Sequence, residues 1–260
     1  TILEALPQLL PAMDADAVAQ LQRENERIGI RVRTSVSVRR IEPSGEGFRV
    51  TFVHDGREQA LAAERVVNGA GRVANVDELS LEAGRVAHAN GRVAVDAHLR
   101  STSNPSVHVC GDAVPTSPQL SPIATYEGDI VGRNIVEGPK YTPDYRSMAS
   151  SVYTVPALAA VGLTEKAARQ QDLAVDIHVN DMLDWFSART YAETVAWSKV
   201  IVEKATDRVV GAHFVGHAGQ ELVNIFALAM RFGITATQIR ESVYAYPTFA
   251  SDIKHMLGHA

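Results

Sequence analysis

At residues 106–115 the sequence reads SVHVCGDAVP, a strand-like run from Val107 to Cys110 that stops at Gly111–Asp112. A Gly-Asp pair after a strand is ordinary turn chemistry. It is also how an α/β fold sets an acceptor carboxylate at the carboxyl end of a strand, where such folds bind their ligands. Both readings stand at this point. Farther on, Tyr244–Ala245–Tyr246 ahead of Pro247 reads, on its own, as aromatic packing against a helix. Nine histidines suggest metal chemistry, but they form no ligand constellation. His213 and His217 are four apart yet straddle a strand end and Gly216, so they share no helical face and no metal site is expected. Cys110 is the single cysteine. It excludes an intrachain disulfide, a CxxC pair and a cysteine zinc site, and it reads as a small buried core residue in a reduced, cytoplasmic protein. No GxSxG, Cys–His nucleophile or P-loop supports group-transfer chemistry.

The composition of these 260 residues is 46% hydrophobic and 21% charged, that of an ordinary globular chain of one or two domains. A net charge of −5 offers no basic field to nucleic acid or an anionic membrane. No apolar run approaches the ~20 residues of a membrane span, and TILEALPQLL lacks the basic and long apolar regions of a signal peptide. TILEA reads as a strand already under way, which suggests a fragment.

The elements that position these residues follow from periodicity. Thr1–Leu3 is a short strand, and Asp14 caps a helix to Ile28, with Ala17, Val18, Leu21 and Ile28 near one face and Gly29 as its stop. Strands follow at Ile30–Ile41, Phe48–Val53, Arg57–Leu61 and Arg65–Asn68, an antiparallel meander on an α/β unit. Short strands are expected near Arg92–Val95 and Val107–Cys110. After a Pro/Ser-rich loop, Ser121 and Pro122 suit the cap and first turn of a helix through Ile135. EGPKYTPDY, residues 137–145, reads as the main domain boundary. Beyond it come strands at Val175–Val179, Thr194–Glu203 and Val209–Val215. Helices follow at Glu221–Phe232, from Thr235 through Val243, and after Pro247. One small sheet cannot cover all these helices, and exposed apolar faces of that kind mark an oligomer interface.

Six segments in one order now carry a resemblance: TILEALPQLLPAMD, VVNGAGRVANVDEL, NPSVHVCGDA with QLSPIATYEGDIVGRNI, VPALAAVGLTE, VVGAHFVG and YAYPTFASDI. Together they resemble the flavoprotein disulfide reductases, the class I pyridine nucleotide-disulfide oxidoreductases that include glutathione reductase, dihydrolipoamide dehydrogenase and mercuric reductase. The fold implied is α/β, with partial Rossmann-like NAD and FAD domains followed by an α+β dimerisation domain. The implied boundaries are a truncated NAD(P)-binding domain at 1–72, the returning part of the FAD domain at 73–140 and an interface domain at 141–260 that makes a homodimer. The resemblance implies that Asp112 accepts from a ribityl hydroxyl of FAD, a charge-assisted bond, and that Gly111 lets the backbone approach closely. It implies that Leu120, Ser121 and Ala124 open the helix whose positive end favours electron density on the reduced flavin. Gly71 and Arg72, in GAGR, match the signature that leads back into the FAD domain. Glu4 is implied to bond the adenine ribose 2′-OH. No Arg or Lys occurs between Thr1 and Gln22, so NADH is expected over NADPH.

Two departures shape the functional expectation. The GxGxxG fingerprint and the redox cysteine pair of the family are not in this sequence. The family's His-Pro with a following glutamate, its acid–base pair over the partner subunit's disulfide, reads here Tyr246–Pro247–Thr248. Ser251 falls at the glutamate position and Asp252 comes next. Tyr246 and Asp252 therefore carry the expected catalytic assignment, and Pro247 is counted with the cofactor-binding positions, its preceding peptide expected to be cis. A phenol titrating near pH 10 is a poor thiol base at neutral pH, so the acid–base role is filled otherwise or the substrate is not a glutathione-like disulfide. A subset of reductase-like proteins of unassigned substrate has this Tyr-Pro-Thr ending. The expected activity is hydride transfer from NADH to FAD and on to a cysteine pair outside these residues. The alternative is an inactive dimerisation module.

Overall fold

The computed structural model describes residues 1–258. The chain forms two compact units. One combines Thr1–Val66 with the segment from Arg146 onward, and the other is Val67–Tyr145.

The first unit opens with strand β1 (Ile2–Leu3), helix α1 (Ala15–Arg27) and strand β2 (Val32–Arg33), the two strands parallel with Ile2 opposite Val32. Asp14 starts α1 by accepting the Asp16 N–H at 3.1 Å, satisfying a donor that the helix cannot. Ala17, Val18 and Leu21 bury one face. Ile28, expected on that face, is exposed at the C-cap, and the buried stripe continues instead through Glu24 and Asn25. An antiparallel meander follows: β3 (Ser37–Ser44), β4 (Gly47–His54) and β5 (Arg57–Ala63). The strand expected over Ile30–Ile41 is broken in two. Ser35 takes a φ of 55°, and the N–H groups of Ser35 and Val36 turn to the carbonyls of Leu6 and Glu4.

The second unit holds the short hairpin β6 (His88–Ala89) and β7 (Arg92–Val93) and the helix α2 (Ser121–Glu137). The strand expected over Arg65–Asn68 is absent, and Val107–Cys110 is extended but barely paired. It makes one bridge, Arg100 to His108, and the Val109 N–H donates to the Leu99 carbonyl at 2.9 Å. A strand-like run becomes a strand only where a neighbouring strand meets it.

The chain then returns to the first unit with β8 (Ser150–Val152), β9 (Leu158–Gly162), α3 (Glu165–Gln170), β10 (Val175–Asp181) and α4 (Phe186–Thr190). Strands β11 (Ala196–Glu203) and β12 (Arg208–Gly216) and helices α5 (Gly219–Phe232), α6 (Ala236–Glu241) and α7 (Phe249–Met256) complete it. The antiparallel sheet runs β10-β11-β12-β9-β8. Alternation sends Leu158, Trp197 and Val215 to one face, against Val18 and Leu21 of α1. Ala159, Val200 and Phe214 face the other side, against Leu222 and Phe226 of α5. Both faces are therefore covered, which is why β11 is buried along nearly its whole length. Burying each large apolar side chain there contributes about 1.5–3 kcal/mol. The outer side of α5 is not covered: Leu228 and Phe232 are exposed, as is Val243 after α6.

Candidate functional site

In the second unit, Gly111–Asp112–Ala113 forms a single 3-10 turn. Gly111 has a φ of 70°, the left-handed region that disfavours a side chain, and a Cβ there would sit 3.2 Å from the Cβ of Ala124 on α2. Glycine is thus what lets this turn meet the first turn of the helix. The Gly111 N–H donates to Glu127 Oε2 at 2.6 Å. Glu127 is fully buried and takes a second hydrogen bond, from the Tyr145 hydroxyl to Oε1 at 2.5 Å. Burial first, then that carboxylate, pushes the Tyr145 phenol well above its usual range. The sequence reading missed Glu127 and Tyr145. A signal for Glu127 existed: Ile123, Glu127, Ile130 and Asn134 share one buried stripe of α2, and a carboxylate in an apolar stripe needs a partner.

The Asp112 carboxylate is half-exposed and lies 3.2 Å from Arg72, whose guanidinium also donates to the Gln119 carbonyl at 2.7 Å. Arg72 follows Gly71, whose φ of 99° turns the chain toward that contact. So Gly71, Arg72, Gly111, Asp112 and the start of α2 do come together. Leu120, not Ser121, occupies the N-cap position of α2, and no side chain caps the helix; Ser121 and Pro122 lie in its first turn. Ser121 as a cap is therefore corrected: the Leu120 backbone is already extended, with ψ of 135°, and its carbonyl receives both the Ile123 and the Ala124 N–H. Cys110 is corrected as well. It is exposed, on the wall of a cavity of about 390 Å³ that Val76, Val86, Val93, Val109 and Asp112 also line. Partial burial and the charge of Glu127 raise its thiol pKa, which opposes a thiolate.

These residues fit a flavin. Gly111 lets the turn sit against the start of α2, Asp112 presents a half-exposed acceptor, and a buried donor, Gln119 Nε2, has no partner among the described residues. A half-exposed carboxylate linked through Arg72 to a residue with an orphaned buried donor suits a ligand rich in hydroxyl and carbonyl groups.

In the first unit, Glu4 ends β1 half-buried, and its Oε1 accepts the Leu6 N–H at 2.8 Å. The parallel partner strand brings Arg33 beside it: the Glu4 N–H donates to the Arg33 carbonyl at 2.8 Å. This arginine lies about thirty residues from Glu4 along the chain, and parallel pairing of β1 with β2 brings it there. Its guanidinium is engaged by Gln59 Oε1 at 2.8 Å and lies over the Phe52 ring.

The Tyr246–Pro247 peptide is cis, as expected. Thr248 caps α7, and Ser251 completes a reciprocal capping box with it. The residue at the family's glutamate position thus serves the helix start. Tyr246 is exposed, its ring tilted against Phe186 at 6.1 Å. Asp252 is buried and faces inward, accepting from the Ser187 hydroxyl and lying 2.9 Å from His217 Nε2. The other ring nitrogen of His217, Nδ1, lies 2.9 Å from Glu193 Oε2. Among the described residues no helix is long and apolar enough to cross a membrane.

Comparisons with known proteins cover both units. Residues 1–128 match the family model described as pyridine nucleotide-disulphide oxidoreductase. Residues 148–257 match the dimerisation domain of the same family. An uncharacterized 19.7 kDa protein in the mercuric resistance operon of Staphylococcus aureus is 36% identical over 180 residues, 69% of this chain and 100% of that protein. Mercuric reductase of Staphylococcus aureus is 29% identical, over 98% of this chain and 46% of its own length. Dihydrolipoyl dehydrogenase of Rhizobium etli is 30% identical, over 98% of this chain and 53% of its own. The chain thus spans about half the length of these two enzymes. Among solved structures, LpdA from Mycobacterium tuberculosis shares the fold with a TM-score of 0.84 at 22% identity, covering 98% of this chain and 55% of LpdA. The HOCl-induced flavoprotein disulfide reductase RclA from Escherichia coli does so with a TM-score of 0.87 at 23% identity, covering 98% and 58%.

Proposed function

This chain belongs to the pyridine nucleotide-disulphide oxidoreductases, an FAD- and NAD(P)H-dependent family, and from that premise we propose that it forms the flavin-contacting and dimerising part of a disulfide-reductase-type enzyme. The proposed division is a nucleotide-binding segment to residue 72, a flavin-contacting segment at 73–140 and a homodimer interface from 141 onward. When bound, FAD would supply the hydride-accepting chemistry that links a nicotinamide cofactor to a disulfide. Its single Cys110 gives this chain no redox pair, so the cysteines come from residues outside it.

The chain's own residues divide the remaining work. Asp112 accepts a ribityl hydroxyl, and Gly111 brings the backbone close. Leu120, Ser121 and Ala124 set the positive end of α2 toward the flavin. Arg72, after Gly71, holds the Asp112 carboxylate in place. Glu4 accepts from the adenine ribose, and its carboxylate favours NADH over the phosphate-bearing NADPH. At the interface, the exposed Tyr246 faces the substrate, Pro247 fixes its turn, and Asp252 anchors the helix behind it. A small-molecule or disulfide acceptor in a reducing cytoplasm fits this arrangement.

One observation carries the reading: a Gly-Asp turn packed tightly on the first turn of α2, its carboxylate joined through Arg72 to the Gln119 carbonyl, with the Gln119 side-chain donor buried and unpaired among the described residues. The test is a visible absorption spectrum of the purified chain beside its intact mass, with and without added FAD. A flavin spectrum retained through gel filtration and lost in Asp112→Ala supports it. No retention of FAD at any concentration would reduce the chain to its dimerising role.

A further inference from the structure

His217 stands just past β12 with an imidazole that is fully buried between two carboxylates. Nδ1 lies 2.9 Å from Glu193 Oε2 and Nε2 lies 2.9 Å from Asp252 Oδ2. A neutral imidazole has one N–H only; its other nitrogen would then point a lone pair at a carboxylate oxygen. With both carboxylates ionised, both contacts are satisfied only by the imidazolium, whose ring is fully buried.

The two contacts differ in strength of support. Glu193 is held twice, because the His217 backbone N–H also donates to its Oε1 at 2.7 Å. Asp252 is held from the side of α7 and by the Ser187 hydroxyl of α4. Loss of the proton removes one ring N–H and so one of these two contacts; the one to Asp252 has no backbone N–H of His217 behind it. That contact joins α7 to the end of β12. Tyr246 lies just ahead of α7 and packs on Phe186, the neighbour of Ser187. Phe249 of α7 meets the His217 ring edge-on at 4.9 Å and stacks on Tyr191 at 5.0 Å.

We propose that His217 is a proton-dependent positioning residue, whose imidazolium clamps α7 to the Glu193 segment and so holds Tyr246–Pro247–Thr248 in its working place. The inference rests on the reading above only in taking Tyr246 as the group that faces substrate. The charged groups facing the ring are Glu193, from the segment between α4 and β11, and Asp252, from α7; α4 adds the Ser187 hydroxyl. The uncharged edge of Trp185 stands 6.2 Å away and is itself 6.0 Å from His255 of α7. Burial works against the charged ring, but hydrogen bonds and charge from Asp252 and Glu193 prevail and raise its pKa above the ordinary value of 6.5. The clamp is thus complete below pH 6.5 and is released as pH rises through that raised value.

The test uses the whole chain, labelled with 4-fluorophenylalanine and titrated by NMR. The His217 ring protons report protonation, and the Phe186 fluorine, assigned by Phe186→Leu, reports the Tyr246 contact. The expected result is one shared midpoint above pH 6.5, with the fluorine titration abolished in His217→Gln. Should His217→Gln not fold, Glu193→Gln replaces it and should lower the midpoint by about one pH unit. A Phe186 signal that stays flat while His217 titrates would overturn the proposal. So would a midpoint at or below 6.5, or one that Glu193→Gln leaves unmoved. None of these readouts involves flavin or turnover, so a failed flavin spectrum sinks the functional reading without touching this one.

Discussion

Lys199 Nζ lies 2.9 Å from Asp14 Oδ1, and both side chains are almost fully buried. Asp14 caps α1 near the start of the chain and Lys199 sits in β11, so one ion pair ties the opening segment to the sheet of the dimerisation domain. Asp16 and Glu165 complete the group, at 2.6 and 2.9 Å from the ammonium. Burial disfavours charge on Lys199 and Asp14, yet the hydrogen bonds between these groups hold Lys199 above its usual range and Asp14 below its own.

Replacing Lys199 with Met leaves the buried Asp14 carboxylate, with Asp16 and Glu165 nearby, without its cation. The expected loss is about 3–5 kcal/mol, the range for removing one partner of a buried pair. Urea unfolding checks it. The double variant Lys199→Met, Asp14→Asn should recover part of the loss, because one uncompensated charge is gone.

Acid should destabilise the first unit through Glu24. Its hydrogen bond from Arg27 outweighs burial and, with Thr194, holds its carboxyl down to about 2 from 4.5. A depressed carboxylate contributes stability that is present above about pH 4.5 and is lost as pH falls toward 2. Glu24→Gln should flatten that limb in melts run at a series of pH values, leaving stability at pH 7 lower.

Gly111→Ala forces a side chain into left-handed backbone with Ala124 3.2 Å away. About 1–2 kcal/mol of stability should go, a drop of roughly 4–8 °C per kcal/mol in the melting of a unit this size. Flavin retention should fall with it. Glu127→Gln tests the same junction from behind. It weakens the charge-assisted bonds from Gly111 and Tyr145 by about 1.5–3 kcal/mol, and calorimetry should register the loss.

Phe232→Glu places a charge on the exposed apolar side of α5, near Leu228. If that face joins two copies, sedimentation equilibrium should show a dimer dissociation constant raised at least about tenfold, or 1.4 kcal/mol, with the monomer fold intact by circular dichroism. An unchanged constant would move the interface elsewhere.

What the sequence by itself determined was local or collinear. The α1 cap at Asp14, the stop at Gly29, the Gly111–Asp112 turn and the order of the six family segments each depend on neighbours along the chain. The tertiary structure decided what depends on approach through space. Ile30–Ile41 divided because Glu4 and Leu6 claimed the N–H groups of Val36 and Ser35. Cys110 became exposed at the end of a run whose pairing, to residues 99–101, stops at Val109. Asp252 turned inward because Ser187 and His217, 65 and 35 residues away, offered it donors. Periodicity tells a residue's face within its own element; which element covers that face, and which charge waits there, is set only when distant segments pack.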